Sequence, residues 1–146
     1  MAGFVYDFLM NKIFLDAFIA GTASQVAKII VILLIKKQKF KMHDLIVTGG
    51  MPSAHSALVG ALTTIISLTE GFTPLFFVVL TFSLIVLRDS MGVRRSVGEE
   101  GKLIEKLIKR ENMQIDNFHY SLGHTPLQVW VGLIMGIMSA IVVYYA

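Results

Sequence analysis

Twenty residues from Asp16 to Ile35, "DAFIAGTASQVAKIIVILLI", carry only two charges, Asp16 and Lys28. As a helix rising 1.5 Å per residue this run is roughly 30 Å long, the thickness of a bilayer's hydrocarbon core. Two further runs have the same character. Pro74 to Leu87, "PLFFVVLTFSLIVL", is prolonged by Arg88 and Asp89, and Leu127 to the C-terminus ends in Tyr144 and Tyr145, a pair suited to a membrane interface. A softer run, His55 to Thr69, is rich in small and hydroxyl residues that suit a helix packed among helices. The chain has 146 residues, 55% of them hydrophobic, with a mean hydropathy of +0.70. We therefore expect an all-α integral membrane protein, a single membrane-embedded domain over residues 1–146 with about four transmembrane helices.

The segment "FVYDFLMNKIFLDAF" places Asp7, Asn11, Lys12 and Asp16 among apolar residues and reads as a short N-terminal interfacial helix leading into the first span. It has neither a cationic start nor a small-residue cleavage site, so it is not expected to be a signal peptide. Between the third and fourth spans, "VGEEGKLIEKLIKR" sets Leu103, Ile104, Leu107 and Ile108 at helical spacing against Glu and Lys, which predicts an amphipathic helix on the membrane surface. The chain has no cysteine, which excludes disulfides and thiolate metal sites.

With four spans, residues 36–52 and 88–126 fall on one side of the membrane. They hold Lys36, Lys37, Lys39, Lys41, Arg88, Arg94, Arg95, Lys102, Lys106, Lys109 and Arg110, against Lys12 alone on the other side. The positive-inside rule assigns both loops to the cytoplasm and both termini to the outside of a cell membrane. "KKQKFK" is then a topological anchor.

"GGMPSAHSA", residues 49–57, lies on that same side. Its glycines, Gly50 included, are turn chemistry, and Pro52 suits the first position of a helix, so the second span is expected to begin at "PSAH". A helix start preceded by glycines is a ready anion site, to which Ser53 adds a hydroxyl and His55 an imidazole. In "LGHTPLQVWVG", Thr125, Pro126 and Gln128 form a capping box for the last span and leave His124 unexplained. Two histidines at two helix starts on one face can supply a nucleophile and a general acid for phosphoryl transfer, with helix-end amides as oxyanion donors. "LRDSMGVRRSVGEEG" adds Arg88, Asp89, Arg94 and Arg95 at the end of the third span: arginines to bind phosphate, and a carboxylate, Asp89, to orient His124. Lys28 and Gln25, polar groups inside the first span, mark a functional interior on the same side. His43-Asp44 reads as an interfacial helix boundary rather than a metal site, and no metal or other cofactor is expected.

"SQVAK" (Ser24 to Lys28), "GGMPSAHSALV" (Gly49 to Val59), "DSMGVRRSVG" (Asp89 to Gly98) and "LGHTPLQVWVG" (Leu122 to Gly132) resemble the motif series of the divergent small bacterial and plastid relatives of type 2 phosphatidic acid phosphatases and vanadium haloperoxidases. The resemblance covers nearly the whole chain. It implies that Ser53 and His55 stand for a phosphate-binding serine and a general-acid histidine, His124 for the nucleophile, and Lys28 for a phosphate-binding lysine. Ala54 replaces the glycine of that family's P-S-G-H motif, and Gln128 replaces the carboxylate four residues after the nucleophile. Phe118 replaces the arginine six residues before it, so Arg94 and Arg95 would bind phosphate from another loop.

The expected activity is a phosphatidic acid phosphatase-like hydrolysis of a membrane phosphomonoester, an isoprenoid or diacylglycerol phosphate, through a histidine nucleophile at the cytoplasmic face. The alternative is a non-catalytic lipid-phosphate binder or transporter using the same cation and amide cluster. The bilayer and its lipid phosphates are the expected partners, and no nucleic acid is. Gly132 and Gly136 form a small-xxx-small pair that suits either a homodimer or packing inside the chain.

Overall fold

The computed structural model describes residues 11–35, 50–113, 115 and 123–146. Among the described residues five α-helices follow one another: α1 Lys12–Ile30, continued by a π-helical Val31–Ile35, then α2 Ala54–Thr69, α3 Pro74–Met91, α4 Val93–Arg110 and α5 Pro126–Tyr145. The protein is an all-α integral membrane protein. Lys12–Leu34, Pro74–Arg110 and Pro126–Tyr145 are long and apolar enough to cross a membrane, while Ala54–Thr69 is a shorter apolar helix. Phe77, Val78, Phe82, Leu84 and Ile85 of α3 point outward, as the hydrocarbon of a bilayer requires.

The run expected as the second span forms α2, a shorter apolar helix of 16 residues wrapped by the others. Seven of its residues, from Ser56 to Ile66, are buried. Small residues make this possible. A Cβ at Gly136 would strike the Ala57 carbonyl, and one at Gly132 the Ser53 carbonyl, while one at Gly60 would crowd Leu133 less severely. The Gly132/Gly136 face is therefore filled by α2 of the same chain, which decides between the two expected uses of that pair in favour of internal packing. Toward the far end Ile65, Ile66, Phe76, Ala140 and Val143 form the apolar core. Several polar groups in the spans are satisfied locally or across helices: Thr63 Oγ1 donates to the Val59 carbonyl and meets Ser83 Oγ at 2.8 Å, and Ser139 Oγ donates to Asp16 Oδ1 at 2.6 Å, while Asp16 Oδ2 and Gln25 Oε1 are buried without a hydrogen-bond partner among the described residues.

Two helix starts differ from expectation. α1 is capped by Asn11, whose Oδ1 accepts from the Ile13 and Phe14 amides, and runs unbroken through Asp16, so from Lys12 onward there is no separate interfacial helix; residues 1–10 lie outside the described residues. In α2 the N-cap is Ser53 rather than a residue before Pro52, and Pro52 precedes the helix after a cis peptide bond. Ser53 wins the cap because its side-chain oxygen accepts from the Ser56 amide, which Pro52 has no side-chain acceptor to do. The capping box of α5 forms as expected: the Gln128 amide donates to Thr125 Oγ1 and the Thr125 amide donates to Gln128 Oε1. α4 is the expected amphipathic helix, begun four residues earlier than "VGEEGKLIEKLIKR" suggests because the single residue Gly92 turns the chain straight out of α3. Only Gly98 and Gly101 of α4 are buried, and Leu103, Ile104 and Leu107 lie exposed.

Candidate functional site

The end of α1, the start of α2, the end of α3, the start of α4 and the start of α5 meet at one end of the bundle. Two backbone hydrogen bonds fasten them: the Ser53 amide donates to the Gln128 carbonyl at 3.1 Å, and the His124 amide donates to the Ser90 carbonyl at 3.2 Å. Both α2 and α5 therefore direct their N-termini, the positive ends of their dipoles, at the same place. Gly123 lets the segment before α5 pass directly over α4, since a Cβ there would fall on the Arg94–Arg95 backbone. Gly50, at φ 87°, makes the turn before Pro52 in a conformation that other residues rarely adopt.

His55, Asp89, Arg94 and His124 line one cavity of about 320 Å³, completed by Phe82, Ile85, Val86 and Ser90. His124 is buried, with 4% of its surface exposed. Its Nδ1 lies 3.3 Å from Gln128 Oε1. Burial holds the His124 imidazole below the ordinary histidine range, helped by the charge of Lys28 and by His55; its hydrogen bonds to Gln128 and to the Gly50 backbone oppose the shift. Lys28 is itself buried and extends alongside Gly50, where its charge reaches both histidines.

The carboxylate of Asp89 is taken by Arg94, whose Nε donates to Asp89 Oδ2 at 2.5 Å. The partner on His124 Nδ1 in the structure is Gln128, and Asp89 holds a guanidinium at the wall of the cavity it shares with both histidines. The reason is local: the single residue Gly92 joins α3 directly to α4, which leaves Arg94 five residues after Asp89 and within reach of its carboxylate. Ser53 is fully buried and its oxygen accepts from both the amide and the hydroxyl of Ser56, so it serves the helix start and does not line the cavity. Arg95 points away from this cavity and pairs with Glu99 at 3.0 Å. Together with Gly50, His124, Thr125 and Gln128, Arg95 lines a separate cavity of about 310 Å³. Gln25 lines a third, more open groove of about 430 Å³ that begins at His55 and runs between α1 and α2 past Ala17, Phe18, Gly21 and Leu58. His43, Asp44, the lysines of "KKQKFK" and Phe118 lie outside the described residues.

Sequence reasoning missed the apolar wall of Phe82, Ile85 and Val86, the Ser90 carbonyl that holds the His124 backbone, and Lys102 beside Arg95. One signal was available: Phe82, Ile85, Val86 and Asp89 recur at helical spacing, so an apolar stripe of α3 leads to a carboxylate.

Residues 9–139 match the family described as the Divergent PAP2 family. The uncharacterized membrane protein YuiD of Bacillus subtilis (strain 168) is 32% identical over 155 residues, an alignment that covers 95% of this chain and 98% of the relative. No solved structure gives a significant match.

Proposed function

The chain belongs to the Divergent PAP2 family, and we propose that it hydrolyses a lipid phosphomonoester, such as an isoprenoid or diacylglycerol phosphate, through a phosphohistidine at His124. One observation carries this reading: two histidines on two different helix starts face one cavity together with an arginine, and the remaining wall is apolar. The lipid tail lies along Phe82, Ile85 and Val86 while the phosphate meets Arg94, Lys28 and the helix-end amides. Gln128 accepts the Nδ1–H of neutral His124 and leaves Nε2 as the nucleophile. Nε2 attacks phosphorus as the bond to the lipid oxygen breaks, and protonated His55 gives that oxygen its proton. Water then attacks phosphorus, its proton passes to His55, and the N–P bond breaks with its electron pair returning to Nε2, so that orthophosphate is released. Asp89 acts through Arg94 by fixing its guanidinium.

A neutral Gln128 stabilises an imidazolium less than a carboxylate does, and this favours a second reading, a lipid-phosphate binder or transporter without turnover. Phosphate release from a short-chain lipid phosphate by detergent-purified protein separates the two. We expect turnover that vanadate inhibits. Because burial lowers the pKa of His124, the acidic limb of kcat/KM is expected on the acid side of the ordinary histidine range. Gln128→Glu puts an anion beside Nδ1, favours the imidazolium, and shifts that limb upward. No release at any pH, with lipid phosphate still bound, would select the binder.

The concentration of Lys and Arg in residues 36–52 and 88–126 supports a site that faces the cytoplasm. Since the chain has no native cysteine, Ser96→Cys and Glu70→Cys report the two sides directly. An impermeant thiol reagent on intact cells is expected to label position 70 and spare position 96; the reverse pattern contradicts the assignment.

A further inference from the structure

His124 is almost wholly buried yet borders two cavities. The first holds Phe82 and Ile85, residues of α3 whose outer surfaces face the bilayer. Among the described residues the second has no apolar side chain in its lining: Arg95, Glu99, Lys102, Thr125 and Gln128 surround it with backbone glycine between them. Such a lining is unusual in a chain that is 55% hydrophobic. Resting on the hydrolase reading above, we propose that this second cavity is an orthophosphate site, the place where the product anion is held on its way from the bilayer side of His124 to the aqueous loop side.

The chemistry of the two products sorts the two cavities. A lipid alcohol is stable only in the bilayer and leaves past Phe82 and Ile85. Orthophosphate carries up to two charges, and passing that apolar wall without paired groups has a large desolvation cost. The second cavity offers what the anion needs. Arg95 and Lys102 lie seven residues apart on one face of α4, and both Gly50 and Gln128, which hydrogen-bond the His124 ring, also belong to the lining. At about 310 Å³ the cavity has room for the ion with several waters, each of which occupies about 30 Å³ in the liquid. Glu99, paired with Arg95 at 3.0 Å, competes with the anion for the guanidinium. This competition keeps binding weak enough for release. Gly123, where a Cβ would fall on the Arg94–Arg95 backbone, brings the segment before α5 close enough to α4 for the two to share the cavity.

A lipid phosphate in the first cavity and orthophosphate in the second can be bound together. Product inhibition therefore has two components, a competitive one at the first cavity and a noncompetitive one at the second. In Lys102→Glu the noncompetitive constant is expected to rise about tenfold or more, from the loss of one positive charge and the gain of a negative one beside the anion. The competitive constant and the lipid KM should stay within about twofold. Equilibrium binding of labelled orthophosphate to purified protein, which needs no turnover, should lose one of its two sites in Lys102→Glu, with Lys102→Gln as a milder variant. Turnover with both inhibition constants unmoved overturns the orthophosphate site and leaves the hydrolase standing. Binding that depends on Lys102 without turnover retains the anion site and rejects the hydrolase. Displacement of the Lys102-dependent orthophosphate by dispersed phosphatidylglycerol makes this a headgroup site and overturns the product assignment.

Discussion

His55→Ala and His124→Ala should both abolish turnover of a lipid phosphate, and they should part company on an activated aryl phosphate. An alkoxide leaves poorly, so its departure depends on a proton from His55, and loss of a general acid costs about 10²- to 10⁴-fold. An aryl oxide with a low pKa leaves without that help, so His55→Ala should act on it within about tenfold of the parent rate. His124→Ala should lose activity on both substrates by about 10⁴-fold or more, since of the two histidines in the cavity it is His124 whose Nδ1 meets Gln128, which leaves Nε2 to attack. Both side chains line the same cavity, so a general loss of folding would affect both substrates alike and is separable from the predicted split. Equal residual activity of the two variants on the aryl substrate would mean that no phosphohistidine forms.

Gly136→Ala should be among the most damaging single-methyl substitutions in the protein. The added Cβ would collide with the carbonyl oxygen of Ala57 and crowd the amide of Ala61, both backbone atoms of α2 that have no rotamer to move into. Relief requires α5 and α2 to separate, which opens the apolar core of Ile65, Ile66, Ala140 and Val143 and shifts Ser53 and Gln128 at the site. A cost of about 3 kcal/mol or more is expected, at the upper end for overpacking. Gly21→Ala is the internal control. Nothing lies within 4 Å of a Cβ at Gly21, so that substitution should be neutral or stabilise α1 by up to about 1 kcal/mol through helix propensity. Thermal unfolding in detergent, followed by circular dichroism, gives the comparison. Equal melting of the two variants would remove the basis for the close α2–α5 contact.

The spans were legible because hydrocarbon allows few alternatives: apolar runs of fourteen to twenty residues have to be helices, and α1, α3 and α5 are where those runs lie. The Thr125–Gln128 capping box was legible because its two hydrogen bonds are local. The meeting of His55, His124, Asp89 and Arg94 followed from sidedness, since each lies at a helix end on one face. What the sequence hid was pairing between neighbours in space. Asp89 lies five residues before Arg94, but only the turn at Gly92 tells whether its carboxylate meets Arg94 or His124. Adjacent residues Arg94 and Arg95 look interchangeable in sequence; on a helix they point about 100° apart, and here they enter different cavities. Gly132 and Gly136 carry no mark of which helix they receive until α2 is placed against them.

The central claim, that phosphate passes through His124, is tested most directly by trapping the intermediate. A short-chain lipid phosphate labelled in its phosphoryl group is mixed with purified protein and quenched in alkali, where a phosphoramidate survives. We predict label on the wild-type chain, up to one per chain, stable to base and lost in acid, mapping to His124 and absent from His124→Ala. Orthophosphate release without any chain-bound label, or equal label on His124→Ala, would contradict the account.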